Sequence, residues 1–544
     1  MAGSDCQGVR QPYRSRATFA DALARARDAG NAREALQAQL YGAETSLRLE
    51  DAENAARDFR AAYGAALELE TVEDQWKALY GLARCEALRG NDAAATEHLR
   101  RAVAVIEQIR DAIRVPSLKS DFFNDKREVF DALIALRLRH GAKVDELFDL
   151  IERGHSRGWR ERLGLPAHAG LRVVQGALPS DALLLDYWAS SFGAAVVSVT
   201  RTTAHVRPVR IDGSEIRALG EALARNESWA PSAAKIAAQL LPPLDAAKPH
   251  LVIVTDGVLA AIPFELLPAG NRPLIERHDV TYLPTAALLL RSPDRVRRVA
   301  PPWTTQFRGF ADPAFGSSAL ETVRGRLLSS SKEVRDIASE LGGRSILRLG
   351  ADNRKEHLLH DQNAPLLHLA THAFVDPGAI EQSRILFSAD RPNGPATYLF
   401  LKEAYELPLR NVELAVLSAC DTERGRVLSG EGIESFSRAF LAAGARSTVT
   451  TLWRVPDSAT ASFMRVFYHH LQRGSSRAEA LRRAKLRFAR SGAPLNHPHY
   501  WGAFVLTGEG LRPVSRAMRW GTVWMGVLML LVLGGFAIFG VRRP

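Results

Sequence analysis

The sequence predicts an all-α repeat domain, then an α/β domain with a mostly parallel sheet and helices on both faces, then one membrane-spanning helix. Three observations carry this. The first part repeats at a 40-residue spacing, the second alternates apolar runs of strand length with capped helices, and the last is an uncharged 22-residue run. At about 100–200 residues per domain, 544 residues leave room for such a division.

The helical part runs from 15 to 165. It is rich in Ala, Leu, Glu and Arg and poor in Pro. Gly42-Ala43 answers Leu82-Ala83, Phe59 answers Leu99, and Ala62 answers Ala102, always 40 positions on. In each copy a small residue precedes a large apolar one by 16, as two antiparallel helices need if the first is to admit a bulky side chain of the second. The pattern resembles tetratricopeptide repeats, though with a period above that family's usual length of about 34. A third pair, Phe130 to Leu163, is degenerate, and a plain helical bundle is the alternative. Cys85 falls on a helix and reads as packing.

From 170 to 510 the pattern changes. Leu251-Val-Ile-Val-Thr255, Leu366-Leu-His-Leu-Ala370, Leu414-Ala-Val-Leu-Ser418 and Ser447-Thr-Val-Thr-Thr451 read as buried strands. Helices are expected over Gly432–Ala443, stopped by Gly444, and over Asp457–Arg473. A third opens with the capping box Ser476-x-x-Glu479 and closes at Gly492. Strands apolar on both faces, alternating with helices, argue for a covered parallel sheet.

In such sheets, sites form beyond the carboxyl ends of the strands. His372 follows the run ending at Thr371, and Cys420 the run ending at Ala419, so each is the first strongly reactive group to leave the core there. A thiolate is the nucleophile, and a nearby imidazole takes the thiol proton and returns it to a leaving amine. Backbone N–H groups at Ala373 and Cys420 are placed to hold an oxyanion. A Cys–His dyad suffices for amide hydrolysis, so neither metal nor cofactor is required.

The words around these residues extend the reading. Leu417-Ser-Ala-Cys-Asp-Thr422, Ser429-Gly-Glu-Gly432, Ala439-Phe-Leu-Ala-Ala-Gly-Ala445 and Leu452-Trp-Arg-Val-Pro-Asp457 follow in order. Upstream stand Thr255-Asp-Gly257, Ile262-Pro-Phe-Glu265 and His368-Leu-Ala-Thr-His372. Downstream stand His497-Pro-His-Tyr-Trp501 and Ala503-Phe-Val-Leu506. Together they resemble the CHAT domain, the caspase-like (clan CD) cysteine peptidase family often found behind tetratricopeptide repeats. The resemblance implies a caspase-like α/β sandwich over roughly 175 to 510, with His372 and Cys420 as its catalytic pair. One departure is Ala373, where the family usually has glycine. It keeps a catalytically inactive scaffold, binding proteins through the same fold, as the alternative. A repeat-only adaptor is a weaker one. For the first substrate subsite Asp421, Glu423, Glu431 and Glu434 offer carboxylates suited to Lys or Arg. Glu431 and Glu434 also suit a helix start.

Other classes fall away. Three cysteines, Cys6, Cys85 and Cys420, make no disulfide scaffold. The net charge of +11 is spread along the chain without interleaved aromatics, so nucleic acid is not expected. His368-x-x-x-His372 has zinc-helix spacing but lacks the glutamate and lies in a strand pattern, so His368 reads as core. His497 and His499 read as loop residues that pack or hydrogen-bond.

Trp520–Val541 is uncharged and flanked by Arg516, Arg519, Arg542 and Arg543. At about 1.5 Å per residue it reaches roughly 33 Å, a bilayer core. With no export signal at the N-terminus, the expected protein is tail-anchored through 520–541, its bulk cytoplasmic, at a bacterial inner membrane. Its partners are then the bilayer and a protein held by the repeats.

Overall fold

A computed structural model describes residues 5–113, 126–155, 160, 162–166, 169–291, 299–300, 304–316, 327–360, 364–376, 378–391, 394–418, 426–428 and 432–517. They divide into two compact units, one of 1–158 with 190–192, the other of 159–189 with 193–544.

The first unit is helical: α1 (Asp5–Asp28), α2 (Ala32–Arg48), α3 (Ala52–Glu68), α4 (Val72–Leu88), α5 (Asp92–Ala112), α6 (Arg127–Arg139) and α7 (Val144–Gly154). Asn31, Asp51 and Asn91 cap α2, α3 and α5, each accepting from the N–H three residues on. From α2 to α4 each helix of 17 residues is followed by a three-residue turn. Two such steps make the 40-residue period. The middle residue of each turn is left-handed: Gly30, Glu50, Glu70 and Gly90 have φ of 68°, 59°, 53° and 74°. Ala43, Phe59, Ala62, Ala78, Leu82 and Cys85 share one apolar cluster. Gly81 completes it: a β-carbon there would lie 2.4 Å from the Phe59 ring.

The second unit holds β1 (Ala182–Ser190), β2 (Gly193–Val199), β3 (Ala204–Pro208), β4 (His250–Val254), β5 (Asp279–Leu283), β6 (Thr305–Ala311) and β7 (Arg344–Leu349). There follow β8 (Leu366–Ala370), β9 (Ala373–Phe374), β10 (Arg384–Phe387), β11 (Thr397–Phe400), β12 (Leu414–Leu417), β13 (Ser447–Thr451) and β14 (Phe504–Gly508). Eleven of these form one sheet in the order β7-β6-β8-β12-β13-β14-β5-β4-β1-β2-β3. β7, β6, β8, β12 and β13 are mutually parallel. β14 is antiparallel to β13 and parallel to β5, which is parallel to β4, as β4 is to β1. From β7 to β1 one reversal therefore divides the strands into two parallel stacks of opposite direction, while β2 and β3 at the far edge are antiparallel to each other.

The helices used below are α8 (Gly213–Ala224), α9 (Ala230–Leu240), α10 (Leu328–Leu341), α11 (Phe436–Ala442), α12 (Asp457–Gln472) and α13 (Arg477–Ala489). One core cluster joins β1, β4, β5, β6 and β14 to α8–α10, α12 and α13, and a second joins β8 and β12 to α11. The expected helix Gly432–Ala443 is shorter than read. Residues 432–434 form a short strand, and α11 begins only after Ser435, whose hydroxyl accepts from Arg438 N–H. At α13, Ser476 caps Glu479 N–H at 3.1 Å, while the Glu479 carboxylate turns to Arg483. The helix ends at Ala489, short of Gly492.

The membrane helix is corrected. No helix among the described residues is long and apolar enough to cross a membrane. A span needs about 20 consecutive apolar residues. α1 and α5 have the length, 24 and 21 residues, but their sequences carry Arg, Asp or Glu throughout. Residues 520–541 lie outside the described residues. The tail anchor, the bilayer contact and the inner-membrane localisation built on them are therefore withdrawn.

Candidate active site

β8 and β12 lie side by side and in register, Leu366 to Leu414 through Leu369 to Leu417. Their carboxyl ends, with that of β13, open onto a cleft of about 360 Å³. Thr371, Ser418, Thr451, Asp457 and His499 are among its walls.

His372 stands two residues past β8 and is 1% exposed. Its backbone is fixed from β10 on both sides. The Thr371 hydroxyl donates to Leu386 C=O at 2.6 Å, and Leu386 N–H donates to His372 C=O at 2.9 Å. Ala373 opens β9, opposite Ile385, and its methyl joins an apolar cluster with Leu369 and Leu417. It is absent from the residues with positive φ. The backbone there makes no demand that only glycine could meet.

Behind the cleft lies a buried polar chain. His368 is 0% exposed. Its Nε2 lies 2.8 Å from Glu333 Oε1 and its Nδ1 3.1 Å from the Tyr468 hydroxyl. Ser418 Oγ donates to the same Glu333 oxygen at 3.0 Å. The core reading of His368 stands, with a hydrogen bond at each nitrogen. Burial holds the Tyr468 phenol well above its usual range.

Three carboxylates collect near the cleft. Asp312 follows β6, is buried and takes a φ of 49°. Its N–H donates to Ser330 Oγ at 3.0 Å, and Ser331 Oγ donates to its Oδ2 at 3.3 Å. Asp457 starts α12. Burial pushes its carboxyl up against an opposing hydrogen bond from Ser329, and the charges of Glu333 and Asp312 push it further. These three were not singled out from sequence. Asp312 meets the same strand-end rule that selected His372, and Asp457 opens a recognisable helix. Glu333 had no local signal, since its partners are 35 and 85 positions away.

His499 Nδ1 lies 3.1 Å from Leu223 C=O, and His497 Nε2 3.2 Å from Glu227 C=O. A carbonyl only accepts, so both nitrogens carry the proton. Cys85 is buried in the repeats, and burial pushes its thiol up to about 11.

A family model described as the CHAT domain matches residues 230–509, just over half of the sequence. The chain belongs to the CHAT domain family. Tetratricopeptide repeat protein 28 of Mus musculus is 29% identical over 300 residues, covering 48% of this chain. Its Homo sapiens counterpart is 27% identical over 301. The chain covers 12% of the length of each of these relatives. Among solved structures, similarity extends to the Arg specific cysteine proteinase gingipain R, at a TM-score of 0.38 and 9% identity over 56% of this chain and 76% of that one. It extends also to the Saccharomyces cerevisiae separase–securin complex, at 0.46 and 9% over 91% and 46%.

His372 and Ala373 lie within the CHAT match, as do Asp312, Glu333 and Asp457. Cys420, Asp421, Glu423 and Glu431 fall inside the matched span too, but outside the described residues. Glu434 belongs to a short strand rather than to a helix start. Among the described residues, the CHAT region thus brings Thr371, Ser418, Asp457 and His499 around one cleft, and His372 is the buried neighbour of Thr371 in the chain.

Proposed function

We propose that the CHAT domain is a cysteine endopeptidase in which Cys420 attacks a peptide carbonyl and His372 moves the proton. The thiol proton passes to the imidazole as sulfur bonds to carbon. The imidazolium then protonates the departing amine, leaving a thioester. Water, activated by the same imidazole, releases the acid and restores the thiol. Backbone N–H groups at Ala373 and Cys420 would hold the oxyanion.

One observation carries the reading. Leu369 and Leu417 are paired partners on adjacent parallel strands. His372 follows the first by three residues, and Cys420 follows the second by three. Two chains leaving neighbouring strands in the same direction support the reading that these two residues meet.

The acidic character around Asp457, raised by the charges of Glu333 and Asp312, supports a basic first subsite at Asp457, where a Lys or Arg side chain would offset that repulsion. The helical repeats supply a surface for a protein substrate or a regulator.

The test is cleavage of a peptide library by the purified chain and by a Cys420→Ala variant. Loss of all cleavage in the variant is expected, and cleavage retained by it sinks the proposal. A scaffold without activity is the second reading, and the near-complete burial of His372 favours it. Selective labelling of Cys420 at neutral pH by a thiol-directed peptide probe would count against that reading.

A further inference from the structure

We propose that Glu333 is a positioning residue that ties the exits of β8 and β12 together through His368 and Ser418. The inference rests on the peptidase reading for its consequence but on described side chains for its geometry.

In the register of the two strands His368 faces Val416, and side chains two apart on a strand share a face. His368 and Ser418 are therefore diagonal neighbours on the side of the sheet that α10 and α12 cover. Glu333 comes from α10 and Tyr468 from α12, both buried. A carboxylate oxygen only accepts, so two donors converge on Glu333 Oε1: His368 Nε2–H at 2.8 Å and Ser418 O–H at 3.0 Å. With the proton on Nε2, His368 Nδ1 accepts from the Tyr468 hydroxyl. The chain Tyr468, His368, Glu333, Ser418 thus runs in one donor direction up to the last member, which donates back. The other carboxylate oxygen, Oε2, has no hydrogen-bond partner among the described residues.

A buried carboxylate held this way is costly to keep and exacting in geometry. Among the described residues, its hydrogen bonds to the sheet are to β8 four residues before His372 and to the residue just past β12, two before Cys420. Without it the chain leaving β12 loses its side-chain anchor, while the ladder beneath stays intact. Glu333 touches neither substrate nor the reacting atoms. It acts by fixing where the two exits point.

The experiment compares the full chain with Glu333→Ala, Glu333→Gln and Ser418→Ala. Two readouts are taken: kcat and KM for a cleaved peptide, and the pH dependence of Cys420 alkylation by iodoacetamide, followed by mass spectrometry. Glu333→Ala and Ser418→Ala should lower kcat by about tenfold or more with little change in KM, since a misplaced group costs the chemical step and not binding. They should also move the alkylation midpoint toward that of an isolated thiol, about 8.5. Glu333→Gln keeps an acceptor oxygen and should restore most of both. Should Glu333→Ala fail to fold, Ser418→Ala cuts the same tie by removing a single oxygen atom. A Ser418→Ala midpoint equal to that of the parent overturns the proposal, as does a parent midpoint already at the isolated-thiol value. Absence of peptide turnover in the parent would end the peptidase reading alone, because alkylation still reports the tie.

Discussion

The carbonyl of His372 and the N–H of Leu386 are hydrogen-bonded at 2.9 Å, and the Thr371 hydroxyl closes the other side on Leu386 C=O. Thr371→Val keeps the shape and deletes the donor. It leaves a buried carbonyl short of a partner, at a cost of about 1–3 kcal/mol in urea denaturation. Thr371→Ser keeps the donor and should lose clearly less. A larger loss for Ser than for Val would show that the methyl, not the hydroxyl, matters.

Phe59 occupies the space above Gly81. Gly81→Ala puts a methyl within 2.4 Å of the ring. Overpacking of this kind costs about 1–3 kcal/mol, against a helix-propensity gain of about 1 kcal/mol. A net loss of stability is expected in equilibrium unfolding. Phe59→Leu added to Gly81→Ala should recover part of it. A Gly81→Ala variant more stable than its parent would mean that the helices shift apart freely.

Glu50 and Glu70 take the left-handed conformation that Gly30 and Gly90 take at the equivalent turns. A residue with a β-carbon gives up about 1–2 kcal/mol there, and glycine returns some of that as added freedom of the unfolded chain. Glu50→Gly and Glu70→Gly should each stabilise the repeats by a few tenths to about 1 kcal/mol, measured by thermal unfolding. Destabilisation by either would show that the carboxylate makes a compensating contact.

His250 Nδ1 sits 2.8 Å from Asp279 Oδ2. That hydrogen bond raises the His250 pKa above its usual 6.5, with the charges of Asp279, Asp181 and Glu479 adding to it against burial. The folded chain therefore binds this proton more tightly than the unfolded one. The stabilisation is complete below pH 6.5 and disappears as pH rises through the higher folded value. His278, lowered by burial, works in the opposite sense nearby. The difference in melting temperature between the parent and His250→Asn should thus be largest at acidic pH and shrink toward alkaline pH. A difference independent of pH would refute the assignment.

Much of this was legible in local pattern. Four strands and the helices from 457 and 476 were readable because apolar period and capping residues are local signals. His372 is selected by its place after an apolar run, and the structure places it two residues past the carboxyl end of β8, where it is buried rather than released from the core. What local pattern could not supply was pairing. Nothing near residue 504 says that its strand reverses the sheet, because β14 gains its place from β13 and β5, the latter more than 200 residues earlier. Glu333 was invisible for the same reason. The start of helix α11 is misjudged because Ile433 and Phe436 share a helical spacing that Ser435, a better cap than interior residue, interrupts. The terminal apolar run reads as a bilayer span from its length, its lack of charge and its flanking arginines.

The reversal at β14 has a consequence for how the molecule can be handled. The carboxyl ends of the stack that leads into His372 point one way, and those of β14, β5, β4 and β1 point the other. A ligand held at the tips of β4 and β1 would therefore sit a full strand's length away from the imidazole.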